Sequence, residues 1–195
     1  MKTYITLSLL CLFTSLPIHL YHANTMIEKP HLQYKLNNGL TVILVPDPNA
    51  AVTSLKAFVK AGSIDEGDQL GSGMSHYLEH LVAGGSTTQH SEKDYQKQIA
   101  SIGGAYNAYT TTDHTTYYIN TTAPHTNTAI TILSEWLFNN TLKETEFAKE
   151  RDVIIKEIEK NNASIPRLFY QLCQNNTYTT HPLRYPVIGY LENVK

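Results

Sequence analysis

Two histidines and a glutamate in the run His76-Tyr77-Leu78-Glu79-His80 have the types and spacing of a metal site. On a helix, positions i and i+4 share one face, so the imidazoles of His76 and His80 reach a single ion. Neutral imidazole is a good zinc ligand, and two of them one turn apart set a fixed bite. Glu79 stands between them, where its carboxylate would act as general base toward a water held on that ion. An exposed helix with two solvated histidines and an ordinary acid would show the same five residues. A catalytic zinc also needs a third protein ligand, with the fourth position left open. Downstream, Glu150 and Glu157 lie two turns apart on one face of a charged stretch, with Val153 and Ile154 placed to pack against a core. On spacing alone neither acid stands out as that ligand.

These residues depend on the elements around them. Residues 32–35 and 40–45 read as two strands about Asn37-Asn38-Gly39, a turn in which Asn-Gly supplies the positive φ angles of a tight hairpin. Residues 52–61 form a third strand, and the Gly-, Asp- and Ser-rich residues 62–73 a loop. Residues 74–83 read as a helix with Leu78, Leu81 and Val82 as packing residues. Ser91 with Asp94 caps a second helix that runs to Ile102 and stops at Gly103-Gly104. Residues 105–112 and 115–121 are a Tyr- and Thr-rich strand pair, and residues 125–138 a helix carrying Trp136 into the core. A long helix over 143–160 follows, then a helical stretch opened by Pro166. Strands, helices, strands and helices in this order predict an α+β fold, a mainly antiparallel sheet packed against helices.

Bulk properties bound the rest. The 195 residues are 42% hydrophobic and 16% charged with net charge −2, which suits one folded domain. Basic residues are scattered, so no nucleic-acid surface or polybasic membrane patch is expected. Lys2, the apolar residues 5–18 and the polar Tyr21-His22-Ala23-Asn24 read as a secretory signal peptide, residues 1–23. The run is short for a bilayer, although an uncleaved anchor is the competing reading. Cleavage after Ala23 leaves residues 24–195 as the mature domain, periplasmic or secreted and without a stable membrane span. Cys11 departs with the signal, and Cys173 then has no partner for a disulfide or a zinc site. The sequons at Asn120 and Asn162 read as coincidence in an Asn- and Thr-rich chain.

The order His-x-x-Glu-His is the inverzincin signature. Around it the chain resembles the pitrilysin/insulinase family of zinc metallopeptidases, in its bacterial and mitochondrial-processing-peptidase-like branch. Glu157 falls at that family's spacing beyond His80, within Glu150-Arg151-Asp152-Val153-Ile154-Ile155-Lys156-Glu157. The run Gly103-Gly104-Ala105-Tyr106-Asn107-Ala108-Tyr109-Thr110 is similar to its Gly-Gly-x-x-Asn-Ala-x-Thr strand. Residues 134–138 and 181–189 resemble its following helix and later loop.

The resemblance implies one Zn2+ per chain on His76, His80 and Glu157, with Glu79 as general base. It implies that Glu150 orients a histidine or the water, and that Asn107 and Ala108 lie on the strand that pairs with a peptide substrate. His114 is read as a surface residue and not a ligand. The family builds a closed chamber from two or four related domains, and an Arg/Tyr pair from a later domain contacts substrate. This chain holds no counterpart of that pair and is expected to stop before its first domain is complete. A second homologous domain or subunit is therefore the expected partner. The leading function is a zinc endopeptidase acting on peptides or unfolded segments; the alternatives are a truncated product and a non-catalytic peptide- or partner-binding subunit of a two-component peptidase.

Overall fold

The computed structural model describes residues 31–194. The expected signal peptide lies outside the described residues. The described residues divide into two compact units, the first ending at Pro48 and the second beginning at Asn49.

Within the first unit, β1 (Leu32–Lys35) pairs antiparallel with β2 (Thr41–Leu44). The register Lys35↔Thr41 leaves five residues between the strands. The Gly39 N–H donates to the Leu36 carbonyl at 2.9 Å, and the Leu36 N–H to the Leu40 carbonyl at 2.8 Å. Only Gly39 among these residues has positive φ, at 88°. The connection is therefore a turn followed by a left-handed glycine: the hairpin forms about Asn37-Asn38-Gly39 as the sequence predicts, with Gly39 alone supplying the positive φ.

The second unit is built on an antiparallel sheet of order β3-β5-β4, from β3 (Val52–Val59), β4 (Ala105–Thr110) and β5 (Thr115–Thr122). Alternation fixes which face is buried. Leu55 and Ala57 of β3 pair with Ile119 and Tyr117 of β5, which pair in turn with Tyr106 and Ala108 of β4. That face receives Val82, Tyr95, Ile99, Ile102, Ile132 and Trp136 from the helices. Trp136 and Tyr95 are fully buried, and their rings meet edge to face with centroids 5.9 Å apart, an arrangement favoured by the ring quadrupoles. Trp136 thus sits where its sequence position predicts.

The helices are α1 (Met74–Val82), α2 (Glu92–Ser101), α3 (Thr126–Phe138), α4 (Glu144–Asn162), α5 (Ile165–Thr177) and the short α6 (Leu191–Val194). The cap of α2 is the expected one: Ser91 Oγ accepts from the Asp94 N–H and Asp94 Oδ2 accepts from the Ser91 N–H, both at 3.3 Å. Such a box contributes about 1 kcal/mol to a helix start. Pro166 lies in the first turn of α5, where its missing N–H costs no helical bond. In α1 the packing residues are Leu81 and Val82, whereas Leu78 is 45% exposed. The core reaches this helix at Val82 and Ala83, in and just after its last turn. No helix among the described residues is long and apolar enough to cross a membrane.

Candidate metal centre

The helix that carries the histidines lies between the sheet and α4, packing against β4 and β5 on one side and α4 on the other. Its start at Gly73 is left-handed, with φ 74° and no side-chain cap. His76 and His80, one turn apart, present rings whose centroids are 4.7 Å apart. From α4, Glu157 Oε2 approaches both, at 3.7 Å from His76 Nε2 and 3.7 Å from His80 Nε2. All three candidate ligand atoms lie within 4.8 Å of one another.

A tetrahedral zinc with bonds of about 2.0–2.2 Å holds its ligand atoms about 3.3 Å apart. Two of the separations here are within a few tenths of an ångström of that, so small side-chain rotations close the set on one ion. The donor chemistry fits too, because two imidazoles and one carboxylate leave a fourth position open, as in catalytic zinc sites. Burial and the charge of His80 lower the His76 pKa from 6.5 to about 4. At neutral pH that ring is uncharged, which is the ligating form.

Around these groups stands a second set of contacts. Glu150 Oε2 lies 3.1 Å from His80 Nδ1, so the same imidazole faces Glu150 with one nitrogen and Glu157 with the other. Lys149 Nζ holds the remaining Glu150 oxygen at 3.2 Å and Glu92 Oε1 at 2.7 Å. Tyr77 donates from its hydroxyl to the Phe147 carbonyl at 2.5 Å, tying α1 to α4. His76 Nδ1 is buried with no hydrogen-bond partner among the described residues, which leaves Nε2 as its atom toward the cluster.

Glu79 projects from the same helix toward β4 and is 7% exposed. Thr110, the last residue of β4, donates to Glu79 Oε2 at 2.6 Å. Burial pushes the Glu79 carboxyl above the usual glutamate range, and the Thr110 hydrogen bond opposes that rise. The buried Tyr117 hydroxyl is also driven upward, first by burial and then by the Glu79 charge. In the sequence Thr110 is marked only by its place at the end of the Asn-Ala-x-Thr run.

Asn107 and Ala108 lie on β4, at one edge of the three-stranded sheet. One cleft is lined by His76, Glu79, His80, Asn107, Ala108 and Glu157, so the strand edge and the histidines open onto the same space. Asn107 is exposed, and its Oδ1 accepts from the Ala108 N–H at 2.9 Å. His114 lies apart from this cluster, 2.8 Å from Asp113 Oδ1 and 2.8 Å from Thr111 Oγ1. All seven residues singled out from sequence are thereby brought to one place, and His114 is not among them.

Known proteins resemble this chain over most of its length. The family described as Insulinase (Peptidase family M16) matches residues 41–190. An uncharacterized zinc protease of Bacillus subtilis is 30% identical over 157 residues, 80% of this chain and 38% of that protein. The beta subunit of the mitochondrial-processing peptidase of Saccharomyces cerevisiae is 34% identical over 161 residues, 83% of this chain and 34% of that one. A protease from Helicobacter pylori, known from its crystal structure, superposes with a TM-score of 0.79 at 31% identity, covering 85% of this chain and 40% of its own. The chain therefore spans well under half the length of these relatives.

Proposed function

The chain belongs to the insulinase (M16) peptidase family, and on that premise we propose that it is a zinc-dependent endopeptidase domain hydrolysing peptides or unfolded segments. His76, His80 and Glu157 hold one Zn2+ per chain, and Glu79 is the general base. The observation that carries this reading is the approach of the three ligand atoms to within 4.8 Å of one another, in one cleft with Glu79 and an open strand edge. The relatives named as zinc proteases support the choice of metal.

When bound, zinc would supply Lewis-acid polarisation of the scissile carbonyl and acidify a water beside it. The work of the protein residues follows from their places. An extended peptide adds to the β4 edge beside Asn107 and Ala108 through main-chain hydrogen bonds, the Ala108 N–H among them, which hold it with loose side-chain selectivity. The Asn107 side chain gives up its bond to the Ala108 N–H as the peptide takes it. Glu79 accepts the proton of the attacking water and passes it toward the leaving amine. Thr110 keeps one Glu79 oxygen fixed, and Glu150 holds the His80 ring in orientation.

A second homologous domain or subunit would complete the enclosure. The chain covers only 34–40% of the relatives above, and several relatives are named as subunits, of the mitochondrial-processing peptidase or of the cytochrome b-c1 complex. Those names also favour a second reading, a peptide- or partner-binding subunit of a two-component peptidase. The apolar residues 5–18 support export to the periplasm or the exterior.

Metal analysis and a peptidase assay on the purified chain test the proposal. One equivalent of zinc is expected, and a Glu79→Gln variant should keep the metal and lose cleavage. A wild-type chain that binds no zinc overturns the enzyme reading. One that binds zinc and cleaves nothing favours the binding-subunit reading.

A further inference from the structure

The first turn of the metal-bearing helix is not capped from within. Gly73 has no side chain to offer, and the backbone donors of the turn point into the loop of residues 62–73. The Met74 N–H is taken by Ser72 Oγ at 3.2 Å. The next donor, the Ser75 N–H, goes to Glu66 Oε1 at 2.9 Å. The other Glu66 oxygen accepts from the Ser72 hydroxyl at 3.3 Å, so one carboxylate binds the loop and the helix together. Glu66 is 5% exposed. No lysine or arginine pairs with it among the ion pairs of the described residues, whereas it does sit at the positive end of α1. A buried carboxylate held by one helix-terminal N–H and one loop hydroxyl is an arrangement that a folded chain keeps when that terminus must be fixed.

What the carboxylate fixes is adjacent to the metal site. Ser75 immediately precedes His76, and its own hydroxyl donates to the Gly62 carbonyl at 3.0 Å. The helix start also lies close against the backbone of residues 188 and 189. A Cβ on Gly73 would lie 2.1 Å from the Ile188 carbonyl oxygen, and one on Gly189 would lie 2.5 Å from the Ser72 carbonyl oxygen. Two backbones are pressed together here without side chains between them. Glu66 adds two hydrogen bonds that hold this turn and its loop against fraying and rotation.

We infer that Glu66 is a positioning residue for the metal centre, setting the orientation of His76 relative to His80 by fixing the first turn of α1. This rests on the assignment of His76 and His80 as metal ligands. Glu66 touches neither ligand, so it acts through the backbone between Ser75 and His76.

Cobalt(II) titration of the metal-free chain, followed by its visible absorption, tests this. Cobalt(II) reports both affinity and the geometry of the site. Wild type should bind one equivalent with a tetrahedral spectrum. Glu66→Asp keeps the charge and withdraws the oxygens by one methylene; it should bind about tenfold more weakly and with an altered spectrum at saturation, in line with supporting residues at other metal sites. Glu66→Ala should do the same or more, and if that variant fails to fold, Glu66→Asp decides. Unchanged affinity and spectrum in Glu66→Asp would overturn the inference. Weaker binding with an unaltered spectrum at saturation would assign Glu66 to stability alone and also overturn it. A wild-type chain that binds no cobalt would instead remove the metal site on which both readings stand.

Discussion

Thr110 Oγ1 donates a 2.6 Å hydrogen bond to Oε2 of Glu79, joining the end of the exposed edge strand to the acid placed as general base. The bond has two consequences for a carboxylate that is almost wholly buried. It stabilises the ionised form against the rise that burial imposes, and it leaves only Oε1 free of this bond to face a substrate or water.

Thr110→Val should therefore lower kcat in a peptide-cleavage assay by about tenfold or more, the equivalent of one hydrogen bond to a charged group. KM and zinc content should be unchanged, because the side chain bonds to Glu79 and Thr115 and to no ligand atom. Thr110→Ser should restore most of the rate. A KM effect without a kcat effect would place Thr110 in peptide binding.

Glu150 is predicted to act through His80. With Nδ1 of that ring 3.1 Å from Glu150 Oε2, replacement by Gln removes the charge that holds the tautomer and orientation of the ligand. Zinc affinity should fall by about 10–100-fold, measured by competition with a chelating dye. Arg151, the next residue along, faces a neighbouring acid on the surface and offers a control whose removal leaves the affinity unchanged.

Metal removal should be visible in stability. A ligand that binds only the folded chain at about a hundred times its Kd adds about 2.7 kcal/mol, which for a chain of this size moves Tm by roughly 5–10 °C. Calorimetry before and after chelation should show that difference. It should vanish in His76→Asn and Glu157→Gln, whose metal-free Tm values should remain close to that of wild type.

His76 gives the metal-free chain a defined acid response. Its folded-state pKa, about 4, lies below the free value of 6.5, so the unfolded chain takes up the proton first as pH falls. Stability should decline from pH 6.5 toward 4 and level off below, by on the order of 3 kcal/mol for a shift of that size. Glu79, raised by burial, works in the opposite sense above its free value of 4.5. Denaturant titrations at several pH values should show a shallower decline for His76→Asn. An equal slope in both proteins would contradict the assignment of this response to His76.

Much of the site was legible from sequence because it is local or helical. The i, i+4 histidines, the Ser91–Asp94 box and the burial of Trp136 each depend on spacing along one element. The family resemblance added Glu157, which spacing alone did not distinguish from Glu150. The structure separates the two acids: Glu157 approaches the Nε2 atoms of both histidines, and Glu150 faces only His80 Nδ1. Other features depend on contacts between distant segments. Nothing along the strand itself shows that β4 lies at the edge; that follows from the order β3-β5-β4. Leu78 has the periodicity of a packing residue yet stays exposed, since the core reaches α1 only near its C-terminal end. Glu66 and Thr110 are ordinary loop and strand residues until the fold places each against α1.

The glycine contact at the start of α1 supports one further prediction. Gly189 has φ 81°, a conformation that L side chains seldom adopt. A methyl group there would meet the Ser72 carbonyl at 2.5 Å and the Gly73 nitrogen at 2.6 Å. Gly189→Ala therefore combines backbone strain with a clash against main chain that has no rotamer to change. It should cost more than about 1–2 kcal/mol of stability and shift α1 with its histidines. Gly39→Ala provides the contrast, because it too replaces a positive-φ glycine but finds open space around the added carbon. Gly39→Ala should lose stability through strain alone and bind cobalt(II) as wild type does. Gly189→Ala should lose stability and bind the metal more weakly, and equal metal binding in the two variants would show that the clamp does not reach the site.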